Sequence, residues 1–287
     1  MKDLKVTIIQ SNLHWENVQK NLDMFAKKIS HIQNVDLIVL PEMFTTGFTM
    51  KSAEFAEELT GKTVEWMKAQ SKKTNAVICG GIITKQEDKF YNTLIWMCPD
   101  GTFEHYNKRH LFRMGDENKN YSAGDKRIIV DLKGWKLCPM VCYDLRFPVW
   151  SRNRSRVTSL PAGQAGSGLG DYKTRNQKPE TLSSEYDLLI YIANWPEKRN
   201  HPWKTLLQAR AIENLSYVVG VNRVGNDNNN NHHSGDSAVI NYKGEIISKI
   251  KPENESAETV SISYSELIEF RKTFPAAMDA DGFNITI

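Results

Sequence analysis

Three observations predict an α/β fold of stacked sheets covered by helices. Short apolar runs recur along the chain, amphipathic runs of helical period fall between several of them, and turn signals join others into hairpins. The chain opens on an alternating strand, Leu4–Gln10. Residues 16–32 then place Val18, Leu22, Phe25, Ile29 and Ile32 on one helical face. Residues 37–40 are all apolar, as befits a strand covered on both faces. Thr60 stands where it can cap a helix over residues 61–73, with Val64 and Met67 turned inward. Residues 76–83 read as a further buried strand. Residues 90–98 and 102–106 flank Pro99-Asp100-Gly101, a strong hairpin signal. Strands follow at 128–132, 136–141, 188–193 and 217–222. A helix over 203–215 lies between the last two, and a final hairpin turns at 241–244.

The 287 residues, 40% of them hydrophobic, suffice for a sizeable core, and one domain over 1–287 is expected. A basic insertion around 152–185 breaks the pattern, with a glycine-rich stretch at 159–170. It reads as a surface insertion, the alternative being a lid beside the pocket. The net charge of +3 is confined to that insertion, so no basic face exists and nucleic acid is not an expected partner. No run approaches the roughly 20 apolar residues of a membrane span. The chain enters its first strand with no signal-peptide core, so a cytoplasmic protein without a membrane partner is expected. The four cysteines lie in or beside apolar runs and read as reduced. His232 and His233 are adjacent in a polar loop over 227–233, without companion ligands at metal spacing, so no metal is expected. Gly61-Lys62-Thr63 resembles the tail of a phosphate loop, but Ala56 stands where that motif needs glycine.

Cys142 ends the apolar run 135–142, and polar residues and Pro148 follow it. A strand thiol is most often plain core, and Cys79, Cys98 and Cys138 are read that way. Cys142 differs because its strand stops there, which puts the sulfur at the mouth of a pocket. Glu42 follows apolar residues 37–40 and Pro41, at the carboxyl end of a buried strand, where α/β folds place ligand chemistry. Lys108 comes directly after the hairpin. A thiol, a carboxylate and an ammonium suffice for acyl transfer through a thioester, with no cofactor or metal.

Together these segments resemble the nitrilase, or carbon–nitrogen hydrolase, superfamily over nearly the whole chain. Pro41-Glu42, Tyr106-Asn107-Lys108 and Val141-Cys142-Tyr143-Asp144-Leu145-Arg146-Phe147-Pro148 carry its three motifs in order. Residues 191–196, 208–214, 220–225 and 274–281 resemble its bacterial omega-amidase subgroup. The resemblance implies a four-layer αββα sandwich that pairs into homodimers or higher homo-oligomers. It also implies roles: Glu42 as base, Cys142 as nucleophile, and Lys108 with the Tyr143 backbone N–H as oxyanion donors. Glu117 is the candidate for a second acid. Arg146 is a candidate for binding a substrate carboxylate, and Phe44 and Trp195 for the apolar pocket wall. The implied substrate is a small keto-acid monoamide such as 2-oxoglutaramate. The alternatives are an N-carbamoyl or nitrile hydrolase with the same triad, or a non-catalytic scaffold.

Overall fold

The computed structural model describes residues 2–153, 155–157, 182–281 and 283–285. The glycine-rich stretch 159–170 lies outside the described residues. The first half supplies β1 (Leu4–Gln10), α1 (Val18–Ile29), β2 (Leu37–Val39), α2 (Ser52–Phe55), α3 (Lys62–Thr74), β3 (Val77–Gln86), β4 (Lys89–Met97) and β5 (Phe103–Asn107). The middle supplies α4 (Glu117–Asn120), β6 (Val130–Leu132), β7 (Trp135–Val141), α5 (Pro148–Ser151), β8 (Ser155–Val157) and β9 (Leu182–Ser184). Then come β10 (Leu188–Ile192), α6 (Asn200–Asn214), β11 (Tyr217–Val221), β12 (Val224–Asn226), β13 (His232–Ser234), β14 (Ala238–Ile240), β15 (Ser256–Ile262) and α7 (Tyr264–Thr273).

The strands form two main sheets, ordered β15-β1-β2-β3-β4-β5 and β14-β11-β10-β7-β6. Each has a parallel centre, where Val6, Leu37 and Val77 align in one and Leu137, Leu188 and Tyr217 in the other. Parallel strands are covered on both faces, which is why the sequences of β2 and β10 carry no alternation. Leu37, Val39, Leu94 and Trp96 of the first sheet meet Leu137, Val141, Ile190 and Val219 of the second in the inner core. On the outer face of the first sheet, Leu22, Phe25 and Ile29 of α1 and Val64 and Met67 of α3 cover Ile38, Ile78 and Ile82. Trp203, Leu207 and Ala211 of α6 cover the second sheet. The result is an αββα sandwich.

Three sequence expectations are corrected. Thr60 does not cap α3: Gly61 occupies the cap, and Glu57 Oε2 accepts the Thr63 N–H at 2.7 Å instead. A carboxylate reaching from one turn upstream satisfies the same free N–H and suits the helix dipole. Residues 227–233 are not a plain loop but the tip of a hairpin that pairs β12 with β13. Asp227 closes it, since Oδ1 accepts the N–H groups of Asn229 and Asn231 at 2.8 and 2.9 Å. The edge strand β15 and helix α7 were not foreseen. β15 is only half-buried along its length, so its small and polar residues give weak alternation. The 241–244 turn forms, with Gly244 N–H donating to the Asn241 carbonyl at 2.9 Å, but a single bridge, Ile240 to Ile246, follows it.

Candidate active site

Glu42 sits just past β2, at the seam between the sheets, and is fully buried. Its loop docks so closely on β3 that a Cβ at Gly81 would lie 2.8 Å from Met43 N and 2.9 Å from Glu42 Cα. Only glycine leaves room for that approach. Lys108 begins where β5 ends and is also fully buried. Its Nζ donates to Glu42 Oε1 at 2.8 Å and to both carboxylate oxygens of Glu117 at 3.0 Å. Glu117, at the start of α4, is buried as well, and its Oε2 accepts the Phe112 N–H at 2.6 Å. Asn92 Nδ2 bridges the two acids, at 2.7 Å from Glu42 Oε1 and 2.8 Å from Glu117 Oε1. Across the seam, the Asn194 backbone N–H donates to Glu42 Oε2 at 2.8 Å, and its side chain donates to the Glu42 carbonyl.

Burial pushes Glu117 above the usual carboxylate range, opposed by Lys108 and reinforced by Glu42. Its hydrogen-bond neighbours among the described residues, Asn92, Lys108 and the Phe112 N–H, are nevertheless all donors, which suits the ionised side chain. Burial would lower Lys108, but Glu117 and Glu42 overcome it and raise the ammonium well above its ordinary value. Two carboxylates therefore lock one cation in place.

Cys142 lies where β7 gives way to a 3₁₀ turn, Cys142–Arg146. Its φ of +45° falls in the left-handed region that a non-glycine residue occupies only under strain. Burial, then Glu42, push its thiol well above the ordinary value, while Lys108 pulls it back. The fold thus brings Glu42, Lys108, Glu117 and Cys142 into one electrostatic neighbourhood.

The turn is held by Asp144. Its Oδ2 accepts Tyr106 Oη–H at 2.7 Å and the Val141 N–H at 3.1 Å; its Oδ1 accepts the His110 N–H at 3.0 Å and contacts His110 Nδ1 at 2.7 Å. One buried carboxylate therefore ties the Cys142 turn to the residues on both sides of Lys108. Asp144→Asn turns a donor amide toward donors, and we expect it to cost about 1–3 kcal/mol of stability, read by urea unfolding. An unchanged midpoint would show that the tie contributes nothing.

Cys142 opens into a cavity of about 410 Å³. Tyr143, Arg146 and Trp195, predicted from the sequence, line it. Phe44 does not: it is packed between Phe25 and Trp66, at ring distances of 5.4 and 5.7 Å, in the outer core. The apolar wall comes instead from Phe48, Met50, Phe112 and Met114. Sequence reasoning also missed Asn92, Asn194 and Arg199. Asn194 follows the apolar run of β10 just as Glu42 follows that of β2, a signal that pointed to it.

The adjacent histidines diverge. His232 pairs with Glu253 at 2.8 Å, and burial lowers the pKa of His233 to about 4. Among the described residues no group of three or more His, Cys, Asp or Glu side chains is placed to hold a metal. Nor, among them, is any helix long and apolar enough to cross a membrane.

The sequence profile of the carbon-nitrogen hydrolase family matches residues 5–159 and 182–272. The chain is 42% identical over 286 residues to omega-amidase YafV of Escherichia coli (strain K12), covering 99% of this chain and 100% of that protein. It is 29% identical over 267 residues to the 2-oxoglutaramate amidase of Bacillus subtilis (strain 168), covering 92% and 91%. Among solved structures, XC1258 of Xanthomonas campestris, a CN-hydrolase superfamily protein with an arsenic adduct in its active site, superposes with a TM-score of 0.89. The identity there is 40%, and all of both chains is covered.

Proposed function

The chain belongs to the carbon–nitrogen hydrolase family and hydrolyses carbon–nitrogen bonds other than peptide bonds, and from this we propose an omega-amidase for small keto-acid monoamides such as 2-oxoglutaramate. The observation that carries this reading is the buried cluster of Glu42, Lys108 and Glu117 acting on Cys142 at the wall of a cavity that also holds arginines.

In the proposed reaction Glu42 takes the thiol proton as Cys142 sulfur attacks the amide carbonyl carbon. Lys108 Nζ and the Tyr143 backbone N–H hold the resulting oxyanion. Glu42 returns the proton to the amide nitrogen, the carbon–nitrogen bond breaks, and ammonia leaves a thioester. Glu42 then takes a proton from water, whose oxygen attacks the thioester. As the carbon–sulfur bond breaks, that proton returns to the thiolate and the acid departs. Glu117 transfers no proton in this scheme; it fixes Lys108 by accepting its Nζ with both carboxylate oxygens. We further propose that residues 1–287 act as one domain and pair into a homodimer or larger assembly.

Ammonia release from a panel of 2-oxoglutaramate, simple amides, nitriles and N-carbamoyl compounds tests the reading. We expect the keto-acid monoamide to have the highest kcat/KM. Preference for a nitrile or an N-carbamoyl compound would overturn the substrate assignment and leave the family intact.

A further inference from the structure

The cavity is lined by three cationic side chains, Arg146, Lys198 and Arg199, and two carboxylates, Asp116 and Asp227. Both carboxylates are already engaged. Asp116 pairs with Lys119 at 2.9 Å, and Asp227 holds its own hairpin tip. Lys198 Nζ donates to Asn231 Oδ1 at 3.0 Å. Arg146 and Arg199 have no acid partner among the described residues. The pocket therefore carries positive charge that the protein leaves unanswered.

The two arginines are not equivalent. Arg146 is exposed, with its guanidinium 5.2 Å from the centre of the Trp195 ring. An exposed cation is screened by water and salt and contributes little to one geometry. Arg199 is half-buried, with its guanidinium 5.0 Å from the centre of the Phe112 ring. Its backbone is fixed from both sides: its carbonyl accepts Trp195 Nε1–H at 2.7 Å, and its N–H donates to the Pro196 carbonyl at 3.0 Å. Arg199 also immediately precedes α6, so the positive end of a 15-residue helix starts at the same wall. Burial, opposed by the nearby Cys142 sulfur, holds its pKa below the usual arginine value. A partly desolvated guanidinium without a counter-ion gains most from a carboxylate that arrives with a ligand.

We propose that Arg199 is the specificity residue that clamps the far carboxylate of the substrate, with Arg146 a weaker contact at the open rim. The proposal rests on the omega-amidase reading and assigns the side chain that selects amides whose other end is an anion.

The test compares wild type, Arg199→Met, Arg199→Lys and Arg146→Met on two probes of equal length, glutaramate and pentanamide. For Arg199→Met the ratio of kcat/KM for glutaramate over pentanamide is expected to fall about 100-fold, the effect of losing a charge-assisted hydrogen-bond pair. Arg199→Lys restores part of the ratio, and Arg146→Met lowers it less than tenfold. An unchanged ratio in Arg199→Met, whether both activities fall together or neither does, overturns the proposal. So does a larger effect at Arg146. A second readout needs no turnover: glutarate slows iodoacetamide labelling of Cys142 in wild type and not in Arg199→Met. If no amide is hydrolysed but this protection holds, the clamp stands and the omega-amidase reading fails; equal protection of both proteins overturns the clamp.

Discussion

Cys142→Ala is expected to lower kcat for ammonia release by at least about four powers of ten while the protein stays folded. The proposed reaction begins with a bond from sulfur to carbon, and no other thiol lines the cavity: Cys79 and Cys138 are fully buried in the core, and Cys98 sits at the hairpin end of β4. The change removes one sulfur atom from a residue that borders a cavity, so little packing is lost. Cys142→Gly is the companion variant. It is equally inactive, but glycine accepts the φ of +45° without strain and is expected to be about 1 kcal/mol more stable than the alanine variant. Ammonia assays and thermal melting read both effects. Turnover within tenfold of wild type in either variant would remove Cys142 from the mechanism.

Lys108→Met is expected to damage stability and rate together. It leaves Glu42 and Glu117 facing each other in a fully buried site without the cation that both now bind. Removing one partner from a buried ion cluster costs roughly 3–5 kcal/mol, because the remaining charge has no solvent. Loss of an oxyanion donor adds about 10²–10³ in kcat. Lys108→Met combined with Glu117→Gln removes one carboxylate as well, and we expect it to recover part of the stability and none of the rate. Urea unfolding and steady-state kinetics on the same samples separate the two effects. The sign of the pH response follows from the same cluster. Lys108 is raised above its unfolded value, so its contribution is complete at neutral pH and fades only as pH climbs past the ordinary lysine value of about 10.4. Wild-type stability between pH 7 and 9 that already falls with Lys108 intact would contradict that assignment.

How much of this was readable in advance depended on whether the signal was local. Glu42 and Cys142 each follow an unbroken apolar run, and a polar residue at the end of a buried strand has few positions open to it. Lys108 follows a hairpin whose turn is written in Pro99-Asp100-Gly101. Arg199 and Phe112 gave no such sign. Arg199 ends a short 3₁₀ turn and Phe112 precedes another, and only the tertiary packing turns both toward the same cavity. Phe44 failed for the complementary reason. It lies two residues from Glu42, but the chain turns between them, with Met43 at a φ of +42°, and the ring ends on Phe25 and Trp66. The Thr60 cap failed because a longer side chain, Glu57, reached the same N–H first. β15 stayed hidden since an edge strand buried on one face needs little hydrophobicity.

Glu42 hangs from one sheet, Cys142 and Asn194 from the other, and Gly81 lies between them with Ile192 Cδ1 3.0 Å from where its Cβ would be. The distance between base and nucleophile is therefore set by how the two sheets interleave, because the loop that carries Glu42 is pressed onto β3. Methyl groups added or removed along that seam will change the reaction rate from a place no ligand reaches, so the sandwich filling itself acts as a gauge for the chemistry.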